Sequence, residues 1–186
     1  MFFYEDNKSV TGTIDRIAED VVKYMSGRGL TMSAAESCTG GLISATVTSV
    51  PGASAVFIGG AVTYTEGLKM KLLGVKKETL EKYTVYSAET AEEMSRGVLK
   101  LTGSDYSIAV TGIAGPSGGT DEKPVGTVYV SVSGGGKTVT KDLALYNENE
   151  YGKMDRRIIR ELTVLRSLEM LKGLLENNEI NERNGH

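Results

Sequence analysis

Ser37 and a scarcity of histidine frame the chemistry open to this chain. Ser37 lies in the block Ala34-Ala35-Glu36-Ser37-Cys38-Thr39-Gly40-Gly41. Hydroxyls and thiols become nucleophiles when a nearby base takes their proton. The only histidine is His186, the last residue, where chains commonly fray. A Ser-His-Asp triad, a Cys-His pair and a histidine metal site are therefore not expected. A base for Ser37 has to come from lysine, tyrosine or a carboxylate. Lys69 and Lys71, with Tyr64 just before them, are the candidates. Burial lowers a lysine pKa because it disfavours the ammonium form. Tyr64 could relay a proton or orient the lysine. The ordinary reading of a helical lysine is solvation, and spacing alone neither chooses between Lys69 and Lys71 nor brings either to Ser37.

The Ser37 block falls where a strand ends and a helix begins. In α/β sheets ligands bind at the carboxyl ends of strands. A helix N-terminus there offers unpaired N–H groups to a phosphate or an oxyanion. Gly40 and Gly41 would let a ligand approach the backbone. The competing reading is that Ser37 or Thr39 caps the helix and the glycines only make the turn. Spacing leaves the two readings evenly balanced. Glu36 could orient a hydroxyl or satisfy backbone N–H groups.

A second glycine-rich block, Thr111-Gly112-Ile113-Ala114-Gly115-Pro116-Ser117-Gly118-Gly119, follows another apolar run. A long loop without secondary structure is more often functional than idle. Its first part is expected to line a site, and the Asp121-Glu122-Lys123-Pro124 segment to be solvated. Arg156 and Arg160 share a helix face one turn apart and could grip a phosphate. Their default reading is a basic face paired with Asp155 and Glu161.

The elements that must position these residues follow from periodicity. Ile14, Ile17, Val21 and Tyr24/Met25 mark a helix from Thr11, ended at Gly27 and Gly29. Leu30–Ala35 reads as a buried strand and Leu42–Val50 as a helix stopped before Pro51. Ala55–Thr65 is β-rich, with a bulge or a turn at Gly59-Gly60. Glu66–Leu73 and Lys77–Tyr83 read as short helices. Ser87 can cap a helix running to about Leu101, and Thr90 with Glu93 offers a second, capping-box start. Tyr106–Val110 reads as a strand, and Thr127–Ser133 with Thr138–Tyr146 as a hairpin. Ile158, Leu162, Leu165, Leu168, Leu171 and Leu175 stripe a long last helix. Residues 1–10 read as a lead-in and the tail from Asn177 as polar and disordered, leaving one domain over 11–176. Alternating helices and strands followed by a hairpin predict a three-layer α/β/α domain with a mixed sheet.

Composition limits the partners. The 186 residues are 40% hydrophobic and 24% charged, with a net charge of −3, which is unlike a phosphate-backbone binder. Cys38 is the only cysteine, so no internal disulfide can form, as suits a reducing compartment. No apolar run approaches the ~18 residues of a membrane span, and no signal peptide is legible at the N-terminus. The expectation is a cytoplasmic protein that binds neither nucleic acid nor membrane. An apolar stripe left exposed on the last helix would make it a homo-oligomer, with a dimer expected.

In order, AAESCTGGLISATVTSVPGAS, GGAVTYTEGLKMKLLGV, VYSAETAEEM and AVTGIAGPSGGTDEKPVGTVYVSV resemble the CinA C-terminal domain family over roughly residues 11–172. The ESCTGG and TGIAGPxGG blocks, at this order and separation, make the match specific. The resemblance implies a five-stranded, mostly parallel mixed sheet. It also implies an amidohydrolase that converts nicotinamide mononucleotide to nicotinic acid mononucleotide and ammonia in pyridine nucleotide recycling. The family's serine–lysine dyad maps onto Ser37 and Lys69, its tyrosine onto Tyr64, and the residue opening its second block onto Thr111. Its late arginine is similar to Arg156, although Met154 stands where the family has glycine. Cys38, Thr39, Gly40, Gly41, Thr111, Gly112 and Arg156 are the expected substrate contacts, with no metal and no cofactor. Many relatives add a domain resembling molybdopterin-binding proteins, which these residues lack, so its ADP-ribose pyrophosphatase activity is not expected. The rival readings are a non-catalytic nucleotide-binding or interaction module, and an amidohydrolase of another substrate.

Overall fold

The computed structural model describes residues 10–148 and 154–184. Of the lead-in expected at 1–10, residues 1–9 lie outside the described residues, as does His186, and Val10 is buried at the start of the first helix. Helix α1 (Val10–Ser26) leads to strand β1 (Met32–Glu36) and helix α2 (Leu42–Thr48). Strand β2 (Phe57–Val62) precedes three helices: α3 (Glu66–Leu73), α4 (Lys77–Tyr83) and α5 (Ala88–Thr102). Strands β3 (Tyr106–Gly112), β4 (Val128–Gly134) and β5 (Lys137–Asp142) follow, then helix α6 (Arg156–Asn184).

The five strands form one sheet in the order β2-β1-β3-β4-β5. β1 pairs parallel with β2 and β3, and β4 pairs antiparallel with β3 and β5. Only β4 therefore runs against the rest, and the mixed, mostly parallel sheet expected from sequence is present. The register of β1 against β2 jumps between Met32 and Ser33, skipping Ile58. Of the two readings of Gly59-Gly60, the bulge is the one the chain adopts. A Cβ on Gly60 would sit 2.6 Å from the Ala34 carbonyl, so this close approach requires glycine.

Two apolar layers sandwich the sheet because strand side chains alternate between faces. Met32, Ala34, Ile108, Val110, Val130 and Val132 face α1, α2 and α6. Ala35 and Ala109 face α5 with Met94 and Val98. Of the stripe expected on α6, Leu162, Leu165, Leu168, Leu171 and Leu175 are buried, while Ile158 is half-buried and its neighbour Ile159 takes the core position, with α6 packed on α1. That stripe is spent inside the chain, against α1 and the sheet. Polar groups pin α5 to the sheet: Ser95 Oγ lies 2.9 Å from Ser131 Oγ and 2.8 Å from Ser133 Oγ.

The structure departs from the sequence reading at several ends. Helix α6 continues as far as Asn184, into the tail expected to be disordered. Asn178 is buried with Nδ2 donating to Tyr106 Oη at 3.1 Å, and Tyr24 Oη donates to Glu179 at 2.7 Å. Polar composition misled there because these polar groups find specific partners. Strand β5 stops at Asp142, where Ala144 adopts a φ of 46°. Ser87 caps α5 through Thr90 N–H, but Glu93 makes no capping box. Its carboxylate accepts from Lys76 N–H and Thr79 Oγ1, each at 2.8 Å, and so closes the start of α4.

Helix α5 carries α3, and α3 carries Lys69. The crossing is tight at Gly97, where an added Cβ would fall on the Leu73 carbonyl. Gly97→Ala is expected to cost about 1–3 kcal/mol through overpacking, read as a lowered midpoint in thermal unfolding. An unchanged midpoint would show that α3 slides without penalty.

Candidate active site

Alternation along β1 sends Glu36 and Ser37 to opposite faces of the sheet. Glu36 is fully buried on the α2 side. Its carboxylate accepts from the N–H groups of Gly41 (2.9 Å), Ile43 (3.1 Å) and Ser44 (2.9 Å), and from Ser44 Oγ (2.7 Å). This changes the reading of the block. The N–H groups at the start of α2 are not open to a ligand, since Glu36 takes them. Neither Ser37 nor Thr39 caps the helix, because the carboxylate does so from five residues before Gly41. Gly40 N–H donates to the Ser37 carbonyl at 3.1 Å. Gly40 and Gly41, at φ of 60° and 96°, shape the turn, and their N–H groups are committed within it. The amides of Cys38 and Thr39 donate to no other residue among the described residues.

Ser37 lies on the other face, just past the carboxyl end of β1. Chain order reverses at β1, with β2 on one side and β3 on the other, so this is the switch point where α/β sheets open a crevice. Across that face Lys69 comes down from α3. Its Nζ lies 2.9 Å from Ser37 Oγ, 2.6 Å from the Thr63 carbonyl and 3.5 Å from the Tyr64 carbonyl. Lys69 is fully buried and Ser37 is 6% exposed, whereas Lys71 is exposed. Burial is the main reason the Lys69 pKa is pushed down to about 8. Two carbonyls can hold the two hydrogens of a neutral amine and leave its lone pair aimed at Ser37 Oγ. Burial pushes the Cys38 thiol up to about 12, which keeps it protonated and a poor nucleophile.

The remaining candidates are placed less simply. Only the Tyr64 carbonyl meets Lys69. The Tyr64 ring is 59% exposed, and its hydroxyl accepts from Arg156 Nη2 at 3.4 Å. A role for the Tyr64 hydroxyl on the lysine does not fit, because the ring turns outward to the rim. Thr111 is fully buried, and its hydroxyl donates to the Val85 carbonyl at 2.8 Å. Extending the β1–β3 register by two residues sets Thr111 beside Ser37, so it braces the floor of the site. Gly112 packs closely against the entry to β4, where an added Cβ would lie 2.6 Å from the Thr127 carbonyl and 2.7 Å from Val128 Cα, so strand packing by itself requires glycine there. Thr39 Oγ1 and Thr63 Oγ1 are buried with no partner among the described residues.

Sequence reasoning missed two clamps. Arg156 and Arg160 do not form the expected pairs with Asp155 and Glu161. Arg156 Nη1 donates to the Gly115 carbonyl at 2.8 Å, and Arg160 donates to the Thr39 carbonyl through Nη2 (2.6 Å) and Nε (3.2 Å). One turn of α6 thus ties down both glycine-rich blocks. Their shared helix face was the available signal, but the acceptors are main-chain atoms, which no spacing reveals. Lys123, expected to be solvated, donates to Thr84 Oγ1 (2.6 Å) and to the Tyr86 (2.9 Å) and Tyr83 (3.3 Å) carbonyls. It fastens the long loop to the linker before α5.

Fold and site together define a class: a three-layer α/β/α domain holding a buried serine–lysine pair at the switch point of its sheet. The comparisons name it, for the CinA C-terminal domain matches residues 14–175, and the chain belongs to that family. A CinA-like protein of Thermotoga maritima is 43% identical over 171 residues, covering 89% of this chain and 38% of that protein. The chain spans 35–40% of the length of such curated relatives. The crystal structure of the competence/damage inducible protein CihA from Agrobacterium tumefaciens superposes with a TM-score of 0.82 at 38% identity. It covers 94% of this chain and 99% of that one. A CinA superfamily protein from Escherichia coli gives 0.80 at 30% identity, with 91% and 94% covered. Among the described residues no helix is long and apolar enough to cross a membrane, and no cluster of metal-ligating side chains occurs.

Proposed function

We propose that this chain is a cytoplasmic amidohydrolase that deamidates nicotinamide mononucleotide, with Ser37 as nucleophile and Lys69 as base. The observation that carries the reading is the 2.9 Å approach of a fully buried lysine amine to the Ser37 hydroxyl. A lysine with no solvent contact and, among the described residues, no carboxylate in ion-pair contact with its amine is costly as a structural device, and it is what a serine lacking histidine needs.

Neutral Lys69 takes the Ser37 proton while Ser37 Oγ attacks the carboxamide carbon. The oxyanion is received by the amides of Cys38 and Thr39, each such donor being worth roughly 3–4 kcal/mol. The C–N bond breaks, the proton on Lys69 passes to the departing amino group, and ammonia leaves. Water then adds to the acyl-serine with Lys69 again as base, releasing the carboxylic acid and restoring Ser37. The exposed Tyr64 ring offers a face to the cationic pyridinium. Arg156 has donor hydrogens left for the phosphate beyond its bond to Gly115.

Burial of Lys69 has a measurable consequence. With a pKa of about 8, about one molecule in ten carries the neutral amine at pH 7, against about one in three thousand for an ordinary lysine. Because the base form is the deprotonated one, kcat/KM should rise about tenfold per pH unit below pH 8 and level off above it. A profile that stays flat or falls between pH 6 and 9 would contradict Lys69 as base.

The substrate is tested by measuring ammonia release from nicotinamide mononucleotide, nicotinamide riboside and nicotinamide. Preference for the nucleotide supports the proposal. Preference for an unrelated carboxamide keeps the amidohydrolase and changes its substrate, and silence on every carboxamide returns the chain to the binding-module reading.

A further inference from the structure

The Thr39–Gly40 peptide is held at both ends. Its carbonyl accepts two bonds from one Arg160 guanidinium and a longer one from Leu42 N–H at 3.3 Å, and its N–H donates to the Ser37 carbonyl at 3.1 Å. The second bond closes the turn that starts at the nucleophile. Inside that turn lie the two peptides whose N–H groups, on Cys38 and Thr39, face no other acceptor among the described residues. Gly40 sits at a φ of 60° with no side chain to resist rotation, so the residue itself does little to hold this peptide in place. Arg160 Nη2 stands 3.8 Å from where a Gly40 Cβ would be. The guanidinium forms no ion pair among the described residues, unlike Arg157, which pairs with Glu161. The half-buried Arg160 thus spends Nε and Nη2 on one main-chain carbonyl in the two-pronged way that guanidinium groups grip carboxylates.

We propose that Arg160 is a positioning residue for the serine nucleophile. Its guanidinium anchors the Thr39–Gly40 peptide and so holds the Cys38 and Thr39 amides in the orientation that receives an oxyanion. By pulling on the Thr39 carbonyl it also polarises the same peptide unit and strengthens the Gly40 N–H bond to Ser37. Arg160 touches neither Ser37 Oγ nor Lys69, so it acts through the turn. Helix α6 thereby becomes part of the catalytic architecture although it contributes no reacting atom. The proposal rests on the serine–lysine reading of the site.

The test compares wild type, Arg160→Met and Arg160→Lys by two readouts. The first is kcat and KM for ammonia release from nicotinamide mononucleotide and nicotinamide riboside. The second is the rate at which a fluorophosphonate labels Ser37, followed by intact mass. In labelling, Ser37 Oγ forms a bond to phosphorus, the P–F bond breaks, fluoride leaves and the serine proton goes to Lys69. This reaction uses the nucleophile and the oxyanion donors but no nucleotide subsite. Arg160→Met is expected to lower kcat and the labelling rate by about 10- to 100-fold with KM changed by less than about threefold. Arg160→Lys, which keeps a charge but loses the two-pronged grip, should fall between, and it decides the matter if the methionine variant does not fold. Wild-type rates in the folded variants would overturn the proposal. So would a loss confined to KM for the nucleotide and absent for the nucleoside, which would make Arg160 a phosphate ligand. If wild type labels at Ser37 but releases no ammonia, the proposed substrate fails and the labelling rates alone decide Arg160. If wild type does not label, both readings fall.

Discussion

Ser37→Ala and Lys69→Met are each expected to lower ammonia release from nicotinamide mononucleotide by about a thousandfold or more, since nucleophile and base act as one unit. The two changes should differ in stability. Lys69 is fully buried, and an apolar chain of similar length removes the cost of holding an amine out of water. Relief of that desolvation cost offsets the loss of the bonds to Ser37 Oγ and the Thr63 carbonyl. Lys69→Met should therefore keep or raise the thermal midpoint while turnover collapses, a combination that unfolding cannot produce. Near-normal turnover in Lys69→Met would end the dyad reading. Lys71 offers no refuge in that event, because it is exposed on α3.

Glu36→Ala should be the most destabilising single change near the site. The carboxylate satisfies three backbone N–H groups and the Ser44 hydroxyl from a fully buried position. Removing it leaves those donors unpaired at the start of α2, a loss of about 3–5 kcal/mol. For a domain of this length that is a drop of roughly 6–20 °C in midpoint. Activity should fall with it, because the same turn carries the Cys38 and Thr39 amides. Glu36→Gln keeps one acceptor oxygen but sets an NH2 group against N–H donors, so an intermediate loss is expected. Differential scanning calorimetry on the two variants measures both effects. A Glu36→Ala midpoint within two or three degrees of wild type (about 1 kcal/mol or less) would mean that water replaces the carboxylate.

Which residues could do chemistry is legible in the amino-acid sequence. The near-absence of histidine turns attention from triads to lysine, and the two glycine-rich blocks mark where a ligand could approach. The layered fold is legible too, because alternation in the strands and the stripes on α1 and α6 are local consequences of burying one side of each element. Other features are not local. Glu36 beside Ser37 reads as a possible partner for the hydroxyl, yet strand alternation sends the two side chains to opposite faces of the sheet. That geometry removes Ser37 and Thr39 from the helix cap, which Glu36 takes instead.

Residue types and periodicity thus determined the class of fold, the stretches that meet at its open edge and the short list of bases. Tertiary structure decided which lysine is buried, that its amine stands 2.9 Å from Ser37 Oγ, and that Arg160 and Arg156 hold main-chain carbonyls of the two glycine-rich blocks. The reason is physical. Burial, and with it the depressed Lys69 pKa, comes from how α3 packs on α5. The arginine contacts join atoms 121 and 41 residues apart in the chain. Carbonyl acceptors are present at every residue, so only the folded path of the backbone distinguishes the few that matter.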